Sequence, residues 1–373
     1  MRLAPADHHL ARHARLRHSL RAAALDGLII TSLPNIAYLT GLFASTAAVL
    51  ISQDELRLFV DGRYLGPATA RQSELEGLSL TMVPPAGSFE DSIVEATAAY
   101  RSGKVGVEAH HMTLRQHEHL EARMAARGAP ASLAATEGLV ENLRSVKDSW
   151  EVACLRDAAG RLSDVAKCII PKALAGMRER DVAGAIEAEL RRVGFDKPAF
   201  DTIVASGPNS AIPHYRSGNR QLEAGDLVVL DFGGMLDGYA VDLSRTITIG
   251  PATEQASRIL GNVAAAQQAA FDAVRIGRPA TDVDEAARQV LERAGLGEAF
   301  SHGTGHGLGL EVHERPRVTR FRPSLPVEPL EAGMVFTLEP GAYLPGWGGV
   351  RIEDDVVVTT AGPEWLTDVP RLM

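Results

Sequence analysis

The second half of this chain repeats itself, and that repeat narrows its possible folds more than any single motif does. Gly176, Asp181, Val182, Ala185, Leu190, Arg192 and Gly194 are matched, at one constant displacement, by Gly277, Asp282, Val283, Ala286, Leu291, Arg293 and Gly295. Each set reads as a turn, a helix and a glycine stop. Farther on, Leu222-Glu223-Ala224-Gly225 and the apolar run ending at Leu230-Asp231 correspond to Leu330-Glu331-Ala332-Gly333 and the run ending at Leu338-Glu339. Residues 238–242 then correspond to 349–353, the displacement growing slightly as loop insertions would make it. Two copies of a helix-plus-hairpin unit imply one domain with approximate internal twofold symmetry, whose strands join a shared sheet and whose helices cover one side.

A chain of 373 residues is long for one core, and what precedes the repeat has a different pattern. From Gly27 to about Ala134, short apolar runs alternate with turns and longer polar stretches, as in an α/β domain. Segments 28–31, 49–51, 56–60 and 105–108 read as strands, with Ser52-Gln53-Asp54-Glu55 turning the second into the third; 113–127 reads as a helix. Arg144, Lys147 and Asp148 lead into a helical apolar spacing over 151–170. The expected domains are therefore 1–143 and 144–373, both α/β (α+β). The first twenty residues are basic and histidine-rich without the apolar core of a signal peptide, and read as an amphipathic helix.

Composition removes several classes of function. The net charge is −9 and no lysine or arginine block forms a footprint for phosphate backbones, so nucleic acid is not an expected partner. No stretch of about 18 uninterrupted apolar residues is present to span a membrane. Cys154 and Cys168 are too few for a disulfide framework and lack metal-site spacing, which suits reduced thiols in the cytoplasm.

The acidic residues carry the functional signal. Each repeat places one carboxylate at the end of an apolar strand, Asp231 or Glu339, and a second on the strand after a glycine turn, Asp242 or Glu353. A single acid in an apolar run is usually a turn residue or an ion-pair partner. Four in register across a pseudo-twofold axis, among Val228, Val229, Leu230, Val335, Phe336 and Leu338, are costly to bury unless they bind metal. The glycine-rich stretch Ser301-His302-Gly303-Thr304-Gly305-His306-Gly307 supplies imidazoles on what reads as a loop where backbone can approach an ion, and His306 is the expected fifth ligand. Four carboxylates and a neutral histidine balance two divalent cations and leave a bridging hydroxide to be held. Mixed oxygen and nitrogen ligation suits manganese, cobalt, iron or zinc. Such a pair acidifies water and polarises a carbonyl, so hydrolysis is the natural chemistry. Arg351 and Glu353, two apart on one strand, face the same way, so the guanidinium is placed to orient a ligating carboxylate.

With these residues in view, the chain resembles the pita-bread family containing prolidase, aminopeptidase P, methionine aminopeptidase and creatinase. The resemblance covers about Trp150 to Thr360 and rests on Leu230-Asp231-Phe232-Gly233, the Asp242 strand, His302 through Gly309, Val312-His313-Glu314, Thr337-Leu338-Glu339-Pro340-Gly341 and Val350-Arg351-Ile352-Glu353-Asp354. It implies metal binding by Asp231, Asp242, His306, Glu339 and Glu353. All five are present, unlike in creatinase. It further makes Glu339 a proton shuttle, gives His214 and His313 the task of positioning substrate and stabilising the intermediate, and puts His302 in the same pocket. In the first domain, Pro34-Asn35-Ile36-Ala37-Tyr38-Leu39-Thr40-Gly41 and Asp61-Gly62-Arg63-Tyr64 resemble the N-terminal domains of prolidases and aminopeptidases P, which implies a homodimer acting on short proline-containing peptides.

An Xaa-Pro dipeptidase is the expected activity, with an aminopeptidase P accepting longer peptides as the rival and a catalytically silent peptide-binding module as the alternative from another class. A dipeptidase needs a cation for the carboxylate after proline; Arg317, Arg320 and Arg322 are candidates, and the sequence does not choose among them. His110, His111, His117 and His119 miss metal-ligand spacing and read as a solvated helix face, and Asp61 and Arg63 fit a turn closure as well as a site.

Overall fold

Helix α1 (Ala6–Ala22) opens the chain with a buried face that is half polar, carrying His9, Arg12 and His13 beside Leu16 and Leu20. The amphipathic expectation is corrected in this respect, and the reason is local. Helix α2 (Leu33–Thr40) ends at Gly41, whose φ of 68° is one that glycine adopts without strain, and its last carbonyls have no partner within the helix. His9 Nδ1 and Arg12 Nη1 donate to the Tyr38 carbonyl, and His13 Nε2 donates to that of Leu39 at 2.7 Å.

The computed structural model describes residues 2–97, 103–128, 131–324 and 327–372, and they divide into two compact units, Arg2–Arg144 and Ser145–Met373. In the first, strands β1 (Gly27–Ile30), β2 (Ala48–Ser52), β3 (Leu56–Val60), β4 (Leu78–Met82), β5 (Lys104–Glu108) and β6 (Ser132–Thr136) form one sheet in the order β4-β3-β2-β1-β5-β6. Ser52 Oγ accepts from the amides of Asp54 and Glu55, which closes the β2–β3 hairpin where the polar tetrapeptide placed it. Helices α3 (Leu65–Glu74), α4 (Phe89–Thr97), α5 (Leu114–Ala126) and α6 (Glu141–Ser145) complete this part of the chain; α5 starts with a capping box made by Thr113 and Gln116.

The second unit starts with α7 (Ser149–Ile169), two residues before the apolar spacing begins, because Asp148 accepts from the amides of Trp150 and Glu151 while Glu151 reaches back to the Asp148 amide. Helix α8 (Glu179–Arg192) follows. Next come β7 (Lys197–Pro198), β8 (Ile203–Ser206), β9 (Leu227–Leu236) and β10 (Tyr239–Thr248), all of which pair through β9. The second repeat supplies α9 (Glu254–Ala273), α10 (Ala280–Arg293), β11 (Gly305–Gly307), β12 (Glu314–Val318), β13 (Val335–Leu338), the hairpin β14 (Gly341–Leu344) and β15 (Gly348–Arg351), β16 (Asp354–Thr359) and β17 (Gly362–Trp365). Each repeat has its own core. Leu155, Leu162, Ile186 and Leu190 of α7 and α8 pack with Leu230, Phe232 and Val241, and Val263, Ala266, Val283 and Leu291 of α9 and α10 pack with Phe336, Leu338 and Val350.

The expected shared sheet is instead two ladders, β10-β9-β7 with β8, and β12-β11-β13-β16-β17. They are joined by a bridge between Ser244 and Glu353. β15 stops at Arg351, so Glu353 lies just beyond the strand on which the spacing placed it, in the join between the halves.

Candidate metal centre

β9 and β10 pair antiparallel with Ser244 opposite Asp231, and Ser244 also bridges to Glu353, so the join brings acids from both repeats together. Asp231, Asp242 and Glu353 are buried; Glu339, one residue past β13, and His306, on β11, are partly buried. Asp242, His306 and Glu353 each offer a ligand atom, all within 4.8 Å of one another. His306 Nε2 is 4.0 Å from Asp242 Oδ2 and 3.6 Å from Glu339 Oε1. Since a carbonyl can only accept, the contact of His306 Nδ1 with the Gly307 carbonyl puts the proton on Nδ1 and leaves the Nε2 lone pair facing the acids.

Electrostatics makes this arrangement costly without a cation. Burial pushes Asp242 well above the usual carboxylate range, and Asp231, Asp355 and Glu339 push it further. Burial raises Glu353 likewise, with Asp242, Glu339 and Asp231 adding to the effect. Burial also lifts Glu339 to about 8, with Arg351 pulling down and Asp231 pushing up. Burial lowers His306 to about 4, helped by His313. Asp231 Oδ1 and Asp242 Oδ1 are buried and have no hydrogen-bond partner. Buried acceptors without donors, grouped around an unprotonated imidazole nitrogen, fit divalent metal.

β11 is a short strand rather than the loop read from its glycines, and those glycines make room for neighbouring strands, not for an ion. A Cβ on Gly305 would lie 1.8 Å from the Thr337 carbonyl oxygen, and one on Gly307 would lie 2.0 Å from that of Arg315.

Arg351 is buried, and its direct carboxylate partner is Asp231 of the other repeat, not Glu353; Nη2 donates to Asp231 Oδ2 at 2.5 Å. It reaches Glu353 through Ser244, whose Oγ accepts from Arg351 Nε at 3.0 Å and donates to Glu353 Oε2 at 2.7 Å. Arg351 Nη1 donates to Tyr343 OH, which in turn donates to His302 Nε2, both at 2.9 Å. With His302 Nδ1 held by the Gly303 carbonyl at 2.8 Å, both ring nitrogens are taken. His302 therefore stands beside Glu339, 3.9 Å away, as an oriented wall. His214 and His313 are exposed, His313 edge-on to His306 with ring centroids 4.2 Å apart, and His214 near enough to His302 and His313 to affect both electrostatically.

Ser244, Tyr343 and Asp355, which accepts from the Asp242 amide, were not singled out in the sequence. Only Ser244 left a trace there, two residues past Asp242 on one strand and so on the same face. Of the histidines read as a helix face, His117 and His119 lie on α5, whereas His110 and His111 lie in the turn before it; His110 and His117 are near Glu137 and Glu121. Asp61 and Arg63 pair at 2.7 Å across an exposed turn.

Residues 153–360 match the model of metallopeptidase family M24, over more than half of the chain. The chain belongs to metallopeptidase family M24. Residues 12–146 match the creatinase/prolidase N-terminal domain. Among relatives of this M24 chain, the Xaa-Pro dipeptidase of Pyrococcus furiosus is 39% identical over 235 residues, 63% of this chain and 66% of the relative. The solved structure of an Xaa-Pro dipeptidase from Bacillus anthracis superposes with a TM-score of 0.90 at 32% identity, over 98% of this chain and 100% of that one. An X-Pro aminopeptidase from Thermotoga maritima superposes with a TM-score of 0.84 at 30% identity, over 95% and 100%. These matches confirm the pita-bread fold of the M24 unit. None of the helices among the described residues is long and apolar enough to cross a membrane.

Proposed function

We propose that this chain is an Xaa-Pro dipeptidase in which Asp231, Asp242, His306, Glu339 and Glu353 hold two divalent ions, manganese in the first instance. When bound, the metals supply Lewis acidity and an activated water. Glu339 takes the proton of the attacking water and returns it to the departing proline nitrogen. His214 and His313, exposed on the open side, hold the substrate carbonyl and stabilise its developing negative charge. Arg351 fixes the Asp231 carboxylate so that one oxygen is held and the other is left for metal.

One observation favours a dipeptidase over an aminopeptidase. In the β11–β12 ladder His306 is directly opposite Arg317, and residues directly opposite on antiparallel strands project from the same face. Arg317 is exposed, and among the described residues it makes no ion pair. It is the cation of the three candidates that the register sets beside the centre, suited to the free carboxylate that follows proline in a dipeptide.

The deciding assay follows proline release from Ala-Pro and alanine release from Ala-Pro-Ala, with manganese-loaded enzyme, chelated enzyme and Asp242→Ala. Cleavage of the dipeptide alone, abolished by chelation and by the substitution, supports this reading. Efficient cleavage of the tripeptide replaces it with an aminopeptidase P, and failure on both peptides with metal bound removes the proline specificity.

A further inference from the structure

The segment carrying His214 runs over residues 207–218 between β8 and β9, and it is tied to one buried carboxylate. Glu179, the first residue of α8, is fully buried. Its Oε1 accepts from the Ser206 amide at 2.8 Å, Ser206 Oγ at 2.7 Å and Asn209 Nδ2 at 2.9 Å. Its Oε2 accepts from Tyr215 OH at 3.0 Å and the Gly218 amide at 3.1 Å. Two of these donors come from Ser206 at the end of β8 and three from within the segment, so they flank His214 on both sides. Five hydrogen bonds and a position in the first helical turn, where the helix favours negative charge, allow a carboxylate to stay buried there. The tip of the segment is held separately, by Arg351 Nη1 donating to the Pro213 carbonyl at 3.3 Å. Between these two attachments, Ile212 and His214 are exposed.

The second repeat uses the same device one turn deeper in its helix. Asp284 of α10 is fully buried and accepts from the Thr304 amide at 3.0 Å and Thr304 Oγ at 2.9 Å, fixing the stretch between His302 and His306. The residue of α10 that corresponds to Glu179 by the repeat displacement is Ala280, so the two anchors are not one inherited position.

We infer that Glu179 is a positioning residue for substrate recognition: it sets the segment that presents Ile212 and His214 to the peptide, and acts on the reaction only through that segment. This rests on the proposed role of His214. Glu179→Gln replaces an acceptor oxygen with an NH2 donor that faces donors already in place, so the segment loosens while the metal-holding acids, on other strands, keep their arrangement.

Two measurements on the metal-loaded full-length protein test this. Hydrogen exchange read on peptides covering 206–218 is expected to quicken at least tenfold in Glu179→Gln, with bound metal and exchange across β9 and β10 unchanged. In Ala-Pro hydrolysis, kcat/KM is expected to fall about tenfold, with kcat sharing the loss because His214 also stabilises developing charge, and Glu179→Gln added to His214→Ala is expected to have no further effect. Unchanged exchange in 206–218, or effects of the two substitutions that multiply, overturns the inference. Tyr215→Phe, which deletes the hydroxyl that donates to Glu179 and accepts from Asn209 Nδ2, must move exchange and kcat/KM in the same direction, and it keeps the test open should Glu179→Gln fold poorly. If the parent enzyme does not cleave Ala-Pro, the proposed function falls, and exchange alone decides whether Glu179 holds the segment.

Discussion

Arg351 Nη2 lies 2.5 Å from Asp231 Oδ2, so a guanidinium from the second repeat holds a carboxylate of the first. The same side chain donates to Ser244 Oγ and Tyr343 OH, and through them reaches Glu353 and His302. Truncation to alanine leaves a buried carboxylate and two hydroxyls without their donor. Arg351→Ala is expected to lower metal affinity about 10–100-fold, and activity at limiting manganese with it. Metal titration by calorimetry, run beside dipeptidase assays over a manganese series, checks this; unchanged affinity would show that Asp231 needs no such support.

The acids repel one another when no cation is bound, so removing one charge should separate metal-free stability from metal-loaded stability. Asp242 is pushed well up by burial and then by Asp231, Asp355 and Glu339. Asp242→Asn is expected to raise the melting temperature of chelated protein and to lower that of manganese-loaded protein, each kcal/mol appearing as about 2–4 °C. Paired thermal scans with and without chelator test it. A lower melting temperature in both would mean that the carboxylate is structurally satisfied without metal.

Gly305 tests the strand assignment around His306. A methyl group there would lie 1.8 Å from the Thr337 oxygen, so β11 could not stay paired. Gly305→Ala is expected to cost more than about 4 kcal/mol and to abolish metal binding. Soluble yield, circular dichroism and metal content are the readouts, and a folded, metal-binding Gly305→Ala protein would refute the packing.

Much of this architecture was legible because two physical signals reinforced each other. The repeat put Asp231, Asp242, Glu339 and Glu353 at equivalent places, and apolar strands around them made burial without metal expensive. What could not be read depended on contacts between segments distant in the chain. Arg351 and Glu353 are two apart, yet Arg351 bonds directly to Asp231, which only the join at Ser244 brings near. Tyr343 sits in an apolar hairpin with no local sign that it spans Arg351 and His302. β4 and β6 escaped because they are five-residue edge strands with partly exposed side chains and no continuous run of large apolar residues, whereas the inner strands β1 and β2 are buried throughout. In α1 the helical period was plain, but histidine and arginine on its buried face make sense only beside the end of α2.

That buried face makes the first unit sensitive to acid. Burial lowers His9 to about 3, with Arg12, Arg71 and His13 opposing its charge; burial lowers His13 to about 4, its bond to the Leu39 carbonyl pulling the other way and Arg17 and Arg12 adding to the fall. His9 Nε2 is buried without a partner, so a second proton would find no acceptor. Between these values and 6.5 the unfolded chain binds protons that the folded one refuses. Stability is therefore complete above pH 6.5 and falls as pH drops toward 4, by about 1.4 kcal/mol per unit for each histidine. Hydrogen exchange in α1, compared at pH 7 and 5 after correction for the intrinsic rate, should reveal the loss, and His9→Gln with His13→Gln should flatten it. Equal protection at both pH values in the parent would exclude the two histidines as its source.

Arg317 offers the sharpest test of substrate choice, because its effect should depend on where the peptide ends. It is opposite His306 in the β11–β12 ladder, whereas Arg315, two residues before it, is already paired with Glu328. If Arg317 receives the carboxylate after proline, Arg317→Ala removes a charge-assisted contact worth about 1.5–3 kcal/mol, or roughly 10–100-fold in kcat/KM for Ala-Pro. A tripeptide has an amide at that place, so any slow cleavage of Ala-Pro-Ala should be nearly unaffected, and the preference for dipeptide should collapse. Arg320→Ala and Arg322→Ala, exposed beyond the end of β12, are the controls and should leave the ratio unchanged. An equal loss on both peptides would instead place Arg317 among the groups that shape the centre, and a change of ratio in a control would move the carboxylate site to that arginine.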